Sequence, residues 1–455
     1  MKKAARGMIA ALMTAILLLL LASCGQKQES PATEVPPAEP EVTAAPEANA
    51  PEEKEPIASE PKTEEAAAEL ETVSGEPIAE PEPEPEPEPV AEILSTPWQV
   101  YLSERDLTSV LSDGDYVSGM YMYPGDTLRV VSEEAFSSLY IEWRSKPEAY
   151  NLLWDGGSQA CGEYGFLQEY IRLPEPVTEL EFELEIGDYL GINDITLLSE
   201  GTAPEGMHDW LPPHEEADIL VFPTHSDDDV LFFGTLISWY TIEQELKVQT
   251  AFMVEHIGQV ERGHERLNGL WEMGIRNYPI LFHARDTASH NMGESMRLNW
   301  SIGIEEWQVE MIRRFRPLVV VGHDLNGEYG NGGHKLNAYY LVTAVEKAAD
   351  PEQFPESAEN YGVWDTPKFY VHLYEENEII LDPEIPMEND PMNRTPFQVA
   401  KDAFEHHHSQ KYYSFRVQYG EQRIYDCRPF GLYRTLVGYD TTADIMENIN
   451  AEDWR

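Results

Sequence analysis

The run Ile219-Leu220-Val221-Phe222-Pro223-Thr224 is largely apolar, then breaks into His225, Ser226 and three successive carboxylates, Asp227, Asp228 and Asp229. A buried parallel strand reads this way, and open α/β sheets place their ligands at the carboxyl edge of such strands. A histidine and an aspartate three residues apart can turn toward one cation, leaving Asp227 between them as a base. Aspartates also suit the first turn of a helix expected from Val230, but that role needs no histidine. A second cluster repeats the pattern. Strand Leu318 to Val321 opens into Gly322-His323-Asp324, then Gly327-Glu328-Tyr329-Gly330-Asn331-Gly332-Gly333-His334. Together the clusters offer His225, Asp228 and His334, two imidazoles and one carboxylate. Such a set leaves a position open for water and substrate, which suits catalytic zinc and also iron(II).

These motifs resemble those of the LmbE-like or PIG-L-like deacetylases, zinc-dependent enzymes that remove N-acetyl groups from glucosamine-containing substrates. The family's His-Pro-Asp-Asp-Glu is here His225-Ser226-Asp227-Asp228-Asp229. Its Gly-x-Tyr-Gly-His-x-x-His is here Gly327 to His334, and its intervening Arg-x-x-Glu motif fits Arg262, Glu265 and Gly274, with Gly269 in place of Ala. The resemblance covers residues 216–345 well and the rest to about 440 loosely. It implies that His225, Asp228 and His334 hold the metal, that Asp227 is the base, and that Tyr329 helps at the oxyanion. It also makes Arg262 a substrate contact. Asp286, which follows a strand, is a candidate for a sugar hydroxyl.

Asn331 is the departure with chemical consequences, because the family places a histidine there. An Asn amide donates a hydrogen bond but supplies neither a cation nor a titrating proton. Losing such a donor costs about 2.7–4 kcal/mol of transition-state stabilisation, so slow turnover is expected unless Tyr329, His323 or His264 compensates. The triplet His406-His407-His408 is discounted as a ligand set, since consecutive histidines on a helix or turn cannot all face one point.

The elements that position these residues alternate as strand and helix from residue 216. Strands are expected at 218–223, 248–254, 278–282, 318–321 and 368–373. Helices are expected at 230–242, 259–273, 304–315 and 336–348. That order implies a Rossmann-like, mostly parallel sheet with flanking helices. Residues 96–202 instead carry short aromatic and β-branched segments between turns such as Pro124-Gly125-Asp126, the signature of a jelly-roll-like β-sandwich. Trp143, Trp154 and Tyr164 are its candidates for stacking on sugar rings, with burial in the core as the alternative.

The chain starts with Lys2, Lys3 and Arg6, then an apolar stretch ending in Leu21-Ala22-Ser23-Cys24. This is a secretory leader resembling a bacterial lipobox, with Cys24 as the lipidated first residue. Residues 25–95 hold 20 Glu against 3 Lys among many Pro and Ala, a disordered linker without the means to bury a core. Extended, it reaches on the order of 200 Å. The expected division is therefore leader 1–24, linker 25–95, sandwich 96–202, deacetylase-like domain 203–445 and C-terminal tail 446–455. A net charge of −52 over 455 residues argues against nucleic acid. Of the three cysteines, Cys161 and Cys427 fall in different domains and give no indication of a disulfide. These features point to an extracytoplasmic, membrane-anchored, metal-dependent deacetylase of an N-acetylated glycan. The alternative is a carbohydrate-binding surface lipoprotein whose hydrolase site is degenerate.

Overall fold

The computed structural model describes residues 88–455, except 117, 185 and 186. The leader, Cys24 and the linker up to residue 87 lie outside the described residues. Eight antiparallel strands come first: β1 (Trp98–Leu102), β2 (Arg105–Asp106), β3 (Met120–Met122), β4 (Leu128–Trp143), β5 (Tyr150–Trp154), β6 (Gly157–Cys161), β7 (Gln168–Glu183) and β8 (Leu190–Leu198). The segments around 127–131 and 138–143 are one long strand, β4, not two. Its register slips between Val131 and Ser138; before the slip it pairs with β1, and after it with β8, while β7 follows it along both halves. A bulge of this kind bends a strand so that it serves two layers. Alternate residues such as Val130, Leu139, Leu180 and Phe182 fill the sandwich core. Val90 and Ile93 already bridge to Thr202 and Leu198 ahead of β1.

The second sheet holds β9 (Ile219–Val221), β10 (Val248–Phe252), β11 (Ile280–Leu281), β12 (Val319–Gly322), β13 (Lys368–His372), β14 (Glu378–Ile380) and β15 (Pro429–Thr435). Their order is β11-β10-β9-β12-β13-β15-β14. The pairings from β11 through β13 are parallel; β15 is antiparallel to both its neighbours. The mixed, mostly parallel sheet agrees with the expectation from sequence. Ile219, Val221 and Val321 face one hydrophobic layer while Leu220, Phe222 and Val320 face the other, as period-two alternation between two helical layers requires. The chain leaves β9 toward β10 and β11, then returns to lay β12 on the opposite side of β9. The carboxyl ends of β9 and β12 therefore flank the topological switch point, where this architecture forms its crevice.

Two helices depart from expectation. The segment 230–242 is broken into turns at Asp228–Leu231 and Gly234–Ser238 and a π-helical turn at Trp239–Glu243. Gly234 lies so close to the helix Pro396–Glu405 that a Cβ there would meet Ala400 Cβ at 2.9 Å. The helix expected from 336 spans Gly332–Lys347, which brings His334 into its first turn. The C-terminal residues pack back on the domain: Ile449 and Trp454 join its core and Arg455 binds Asp218. Cys161 and Cys427 are both buried and unpaired. Among the described residues no helix is long and apolar enough to cross a membrane.

The sandwich is docked on the α/β domain by specific groups. The Phe166 ring stacks on Tyr278 at 4.7 Å. The Gln168 amide donates to Asn268 Oδ1 (2.7 Å) and accepts from Trp210 Nε1 (3.2 Å). His264 lies flat on Tyr116, ring centroids 4.4 Å apart, with its Nε2 2.9 Å from the Trp143 carbonyl. These side chains are buried or half-buried, so their pairing is costly to break.

Candidate metal centre and active-site cavity

His225, Asp227 and Asp228 follow β9, and His334 follows the loop after β12. Their chemistry-bearing atoms converge. His225 Nδ1 lies 3.0 Å from His334 Nε2 and 3.2 Å from Asp228 Oδ2, and His334 Nε2 lies 3.1 Å from the same oxygen. A triangle with edges of this length is what one cation imposes on three ligands at about 2.0–2.2 Å. Gly333 allows the approach, since a Cβ there would meet Asn331 Oδ1 at 3.0 Å and His225 Cε1 at 3.5 Å.

Each imidazole is backed on its far nitrogen by a carboxylate. Asp286 Oδ1 is 3.2 Å from His225 Nε2, and Glu328 Oε2 is 2.7 Å from His334 Nδ1, somewhat off the line of a good hydrogen bond. Such partners fix ring orientation and raise ligand basicity in metal sites. Burial disfavours charge on these imidazoles, but the carboxylates around them outweigh it, Asp228 with Asp286 raising His225 to about 9 and Asp228 with Glu328 raising His334 to about 10. Asp228 is itself held well below the carboxylate range: burial opposes this, and His334 and His225 overcome it. A pocket with this affinity for protons has the electrostatics to hold a divalent cation. The donor set therefore fits a divalent metal without distinguishing zinc from iron(II).

His323 and Glu328 form with His334 a second grouping of metal-ligand type, but their atoms are engaged. His323 Nε2 accepts from the Thr224 backbone N–H at 2.9 Å and its Nδ1 faces Glu328 Oε1 at 2.9 Å. His372 approaches the same oxygen at 3.3 Å. Burial pushes the Glu328 carboxyl up, but His323 and His334 hold it well below its ordinary range. This is a scaffold behind the first site. Glu328 takes a left-handed backbone (φ 50°) to reach it, a conformation that costs a non-glycine residue free energy and so points to a positional demand.

Asp227 is outside the triangle. Its Oδ1 accepts from Arg262 Nη2 at 2.8 Å, while burial and then the Asp228 charge push its carboxyl upward. Arg262 is thus tied to the expected base, neither solvated nor committed to substrate alone. Glu265, of the same helix Val260–Glu272, accepts from Ser409 N at 2.6 Å and Ser409 Oγ at 2.5 Å, fixing a loop that lines the cavity. Gly269 stands where the resembled family has Ala because His407 fills that space, its Nε2 2.9 Å from where a Cβ would be. Burial lowers His407 to about 3, so it packs as a neutral ring. Asp229 is buried without a hydrogen-bond partner, and burial followed by its two acidic neighbours pushes it well up.

Asn331 has a structural task that its sequence context did not reveal. Its Oδ1 accepts from the N–H groups of Gly333 (2.7 Å) and His334 (3.2 Å), capping the helix that carries His334. His323 and His264 do not replace the missing histidine: the first is held by Thr224 and Glu328, and the second lies in the domain junction. A cavity of about 840 Å³ opens over the centre, lined by His225, Asp227, Arg262, Asp286, Tyr329 and Asn331. Asp228 and His334 are buried beneath it. Burial, then the charges of Asp228 and Asp227, raise the Tyr329 phenol far above its ordinary range, so it stays a proton donor.

Sequence reasoning missed Glu328, His256 and two sandwich residues. His256 follows β10 on the same sheet edge, with Nδ1 2.8 Å from Ser226 Oγ and Nε2 3.6 Å from Asp286. The signal was present, a third apolar strand ending in Glu255-His256. Tyr116 and Arg144 of the sandwich also line the cavity, which no local pattern announces. Of the aromatic stacking candidates, Trp143 is fully buried and donates to Glu169 at 3.1 Å. Trp154 donates to Glu175 at 2.8 Å, and Tyr164 stacks on Phe166 while half exposed.

Fold and site together define an α/β protein with a candidate metal centre at its switch point. No protein-family model matches the chain. The 1D-myo-inositol 2-acetamido-2-deoxy-alpha-D-glucopyranoside deacetylase of Rhodococcus erythropolis is 44% identical over 62 residues, 14% of this chain and 20% of that protein. The corresponding deacetylase 1 of Catenulispora acidiphila is 25% identical over 194 residues, 37% of this chain and 59% of that one. The chain thus matches less than two thirds of either relative. Among solved structures, N,N'-diacetylchitobiose deacetylase from Pyrococcus horikoshii is 17% identical with a TM-score of 0.33, over 44% of this chain and 74% of that one. A pectin-binding carbohydrate-binding module is 14% identical with a TM-score of 0.19, over 25% of this chain and 96% of that one.

Proposed function

We propose that the protein is a metal-dependent deacetylase that releases acetate from an N-acetylglucosamine-containing glycan or glycoconjugate. The observation that carries this reading is the convergence of His225 Nδ1, Asp228 Oδ2 and His334 Nε2 within 3.0–3.2 Å, with the buried Asp227 carboxylate beside them and outside the triangle. The names of the partial relatives, both deacetylases of an acetamido sugar, support the substrate class. A divalent cation held by those three residues supplies Lewis acidity toward water and toward an amide carbonyl.

The chain's own groups do the rest. Asp227 takes a proton from the attacking water as its oxygen bonds to the amide carbon. Arg262 keeps that carboxylate aimed, and Tyr329, keeping its proton, donates a hydrogen bond through its phenolic O–H to the developing oxyanion. When the carbon–nitrogen bond breaks, acetate leaves, and Asp227 returns its proton to the sugar amine. The cysteine-terminated leader and the Glu/Pro-rich segment after it support placing the reaction outside the cytoplasm on a lipid anchor.

Acetate release from N-acetylglucosamine oligomers by the purified chain tests the reading. Release should stop with a chelator and return with zinc. Saccharide binding without release, unchanged by Asp227→Asn, would favour a binding protein with a degenerate site. Radiolabelled fatty acid retained by the wild type and lost in Cys24→Ala tests the anchor.

A further inference from the structure

The catalytic cavity is walled by both domains, and it does not end at the metal centre. Arg144 of the sandwich lines it, and Arg144 with Gly258, Gln259 and Val260 also lines a second cavity of about 410 Å³. The two hollows adjoin along those four residues. The first alone, at about 840 Å³, already fills the range of about 300–1,000 Å³ that takes a drug-sized ligand. The second lies beside it, with sandwich residues on one side and residues 255–260 on the other.

Its far wall is aromatic. Tyr121 and Tyr189 line it, 42% and 40% exposed, with ring centroids 5.2 Å apart edge to face. Tyr123 stands 6.3 Å from Tyr189 and is 53% exposed. Tyr121 points outward from β3 while Met120 and Met122 on either side are buried. It pairs with Gly191 of β8, where a Cβ would meet Tyr121 Cε1 at 2.9 Å; glycine there lets the ring lie against the strand. Arg144 donates to the Tyr121 hydroxyl (3.2 Å) and to the Ser118 carbonyl (2.9 Å), which holds the ring in place. Exposed, immobilised tyrosines with a flat apolar face and a polar rim suit the alternating C–H and hydroxyl faces of a pyranose. The lining of this hollow balances Arg144, Lys146 and Arg266 against Glu148, Asp188 and Glu255, so it offers no net positive charge to draw in an anionic polymer.

We infer that the Tyr121–Tyr189 wall is a distal saccharide subsite, so that the substrate is a neutral oligosaccharide chain spanning both domains and not a single small glycoside. This rests on the proposed deacetylase reading and deepens it. The sandwich then acts as the outer half of the active site. Its docking through Gln168, His264 and Phe166 keeps the two hollows in register.

The test compares acetate release from N-acetylchitopentaose and N,N'-diacetylchitobiose by the full chain. The pentamer should exceed the dimer at least tenfold in kcat/KM. In Tyr121→Ala/Tyr189→Ala that ratio should fall to within twofold of one, whereas Tyr121→Phe, which keeps the ring, should preserve it. Tyr189→Ala alone, at an exposed position, should lower the ratio and guards against misfolding of the double variant. Equal rates on both substrates in the wild type, or a ratio unmoved by removing both rings, would overturn the subsite while leaving the deacetylase reading intact. Pentaose binding by calorimetry separates the other case. If no substrate releases acetate but pentaose binds the wild type at least tenfold more tightly than the double variant, the subsite stands and the enzymatic reading falls.

Discussion

Glu328 Oε2 lies 2.7 Å from His334 Nδ1, on the side of the ring facing away from Asp228. The same carboxylate receives His323 at 2.9 Å and His372 at 3.3 Å through its other oxygen. It therefore sets the direction in which His334 presents Nε2, together with the helix cap at Asn331. Glu328→Gln keeps the size and one acceptor but removes the charge. Loss of such a partner typically costs 10–100-fold in metal affinity. Zinc competition against a chromophoric chelator should register a weakening of that order, with circular dichroism unchanged. Undiminished affinity would mean that His334 needs no carboxylate behind it.

Asp227 shares the buried floor of the cavity with Asp228 yet makes its close contact with Arg262, at 2.8 Å. Substituting Asn preserves shape and leaves the three ligands in place. Metal content of Asp227→Asn, by elemental analysis, should equal wild type, while acetate release should drop about 10²–10⁴-fold, the usual share of a general base. Loss of metal in this variant would make Asp227 a ligand and the assignment of roles wrong.

The parallel sheet and the ligand triangle were legible because both motifs are local. Each is an apolar strand followed at once by polar residues, and the parallel pairing that strands alternating with helices imply brings their ends to one edge. Three things were not legible, each for a physical reason. Glu328 occupies a variable position of the resembled motif, and its role depends on a left-handed turn that sequence spacing does not encode. Asn331 looked like a lost catalytic group because capping depends on where the helix begins, and Gly332-Gly333 disguised that start. The composite cavity needs the sandwich docked, through Gln168 and His264, which are far apart in the chain. Trp143 was attractive as a sugar platform by residue type, but β4 turns it inward.

Two functions of Asn331 are separable because they use different ends of its amide. The oxygen caps the helix; the side chain also lines the cavity beside Tyr329, whose phenol is raised by burial and the Asp228 and Asp227 charges and drawn back in part by Asn331. Aspartate caps as well as asparagine but has no N–H to give. Asn331→Asp should hold its thermal midpoint and lose on the order of 100-fold in kcat/KM, the loss expected of one oxyanion donor. Asn331→Ala should lose activity and also about 1 kcal/mol of stability. Matching activity in the Asp variant and wild type would confine this residue to the cap.

Glu142 provides a pH-dependent test of the domain junction. It is half-buried in the sandwich beside Tyr116, whose hydroxyl donates to its Oε1 at 3.1 Å; His264 Nδ1 lies 3.9 Å from the same oxygen, and Asp194 is the nearby acidic charge. Burial, opposed in part by the Tyr116 hydrogen bond, raises its carboxyl to about 7. The folded state therefore keeps a proton that the unfolded chain gives up near 4.5, and folding loses stability as pH rises from about 4.5 through 7. Gln holds the same shape, still accepts from Tyr116 and never ionises. Denaturant unfolding should find Glu142→Gln and wild type similar at pH 4.5, with the variant more stable at pH 8 by up to about 3 kcal/mol. His264 stacks on the same Tyr116 ring, so the gain should appear as later separation of the two domains. A variant less stable than wild type at pH 8 would show that the ionised carboxylate is needed there, contrary to this account.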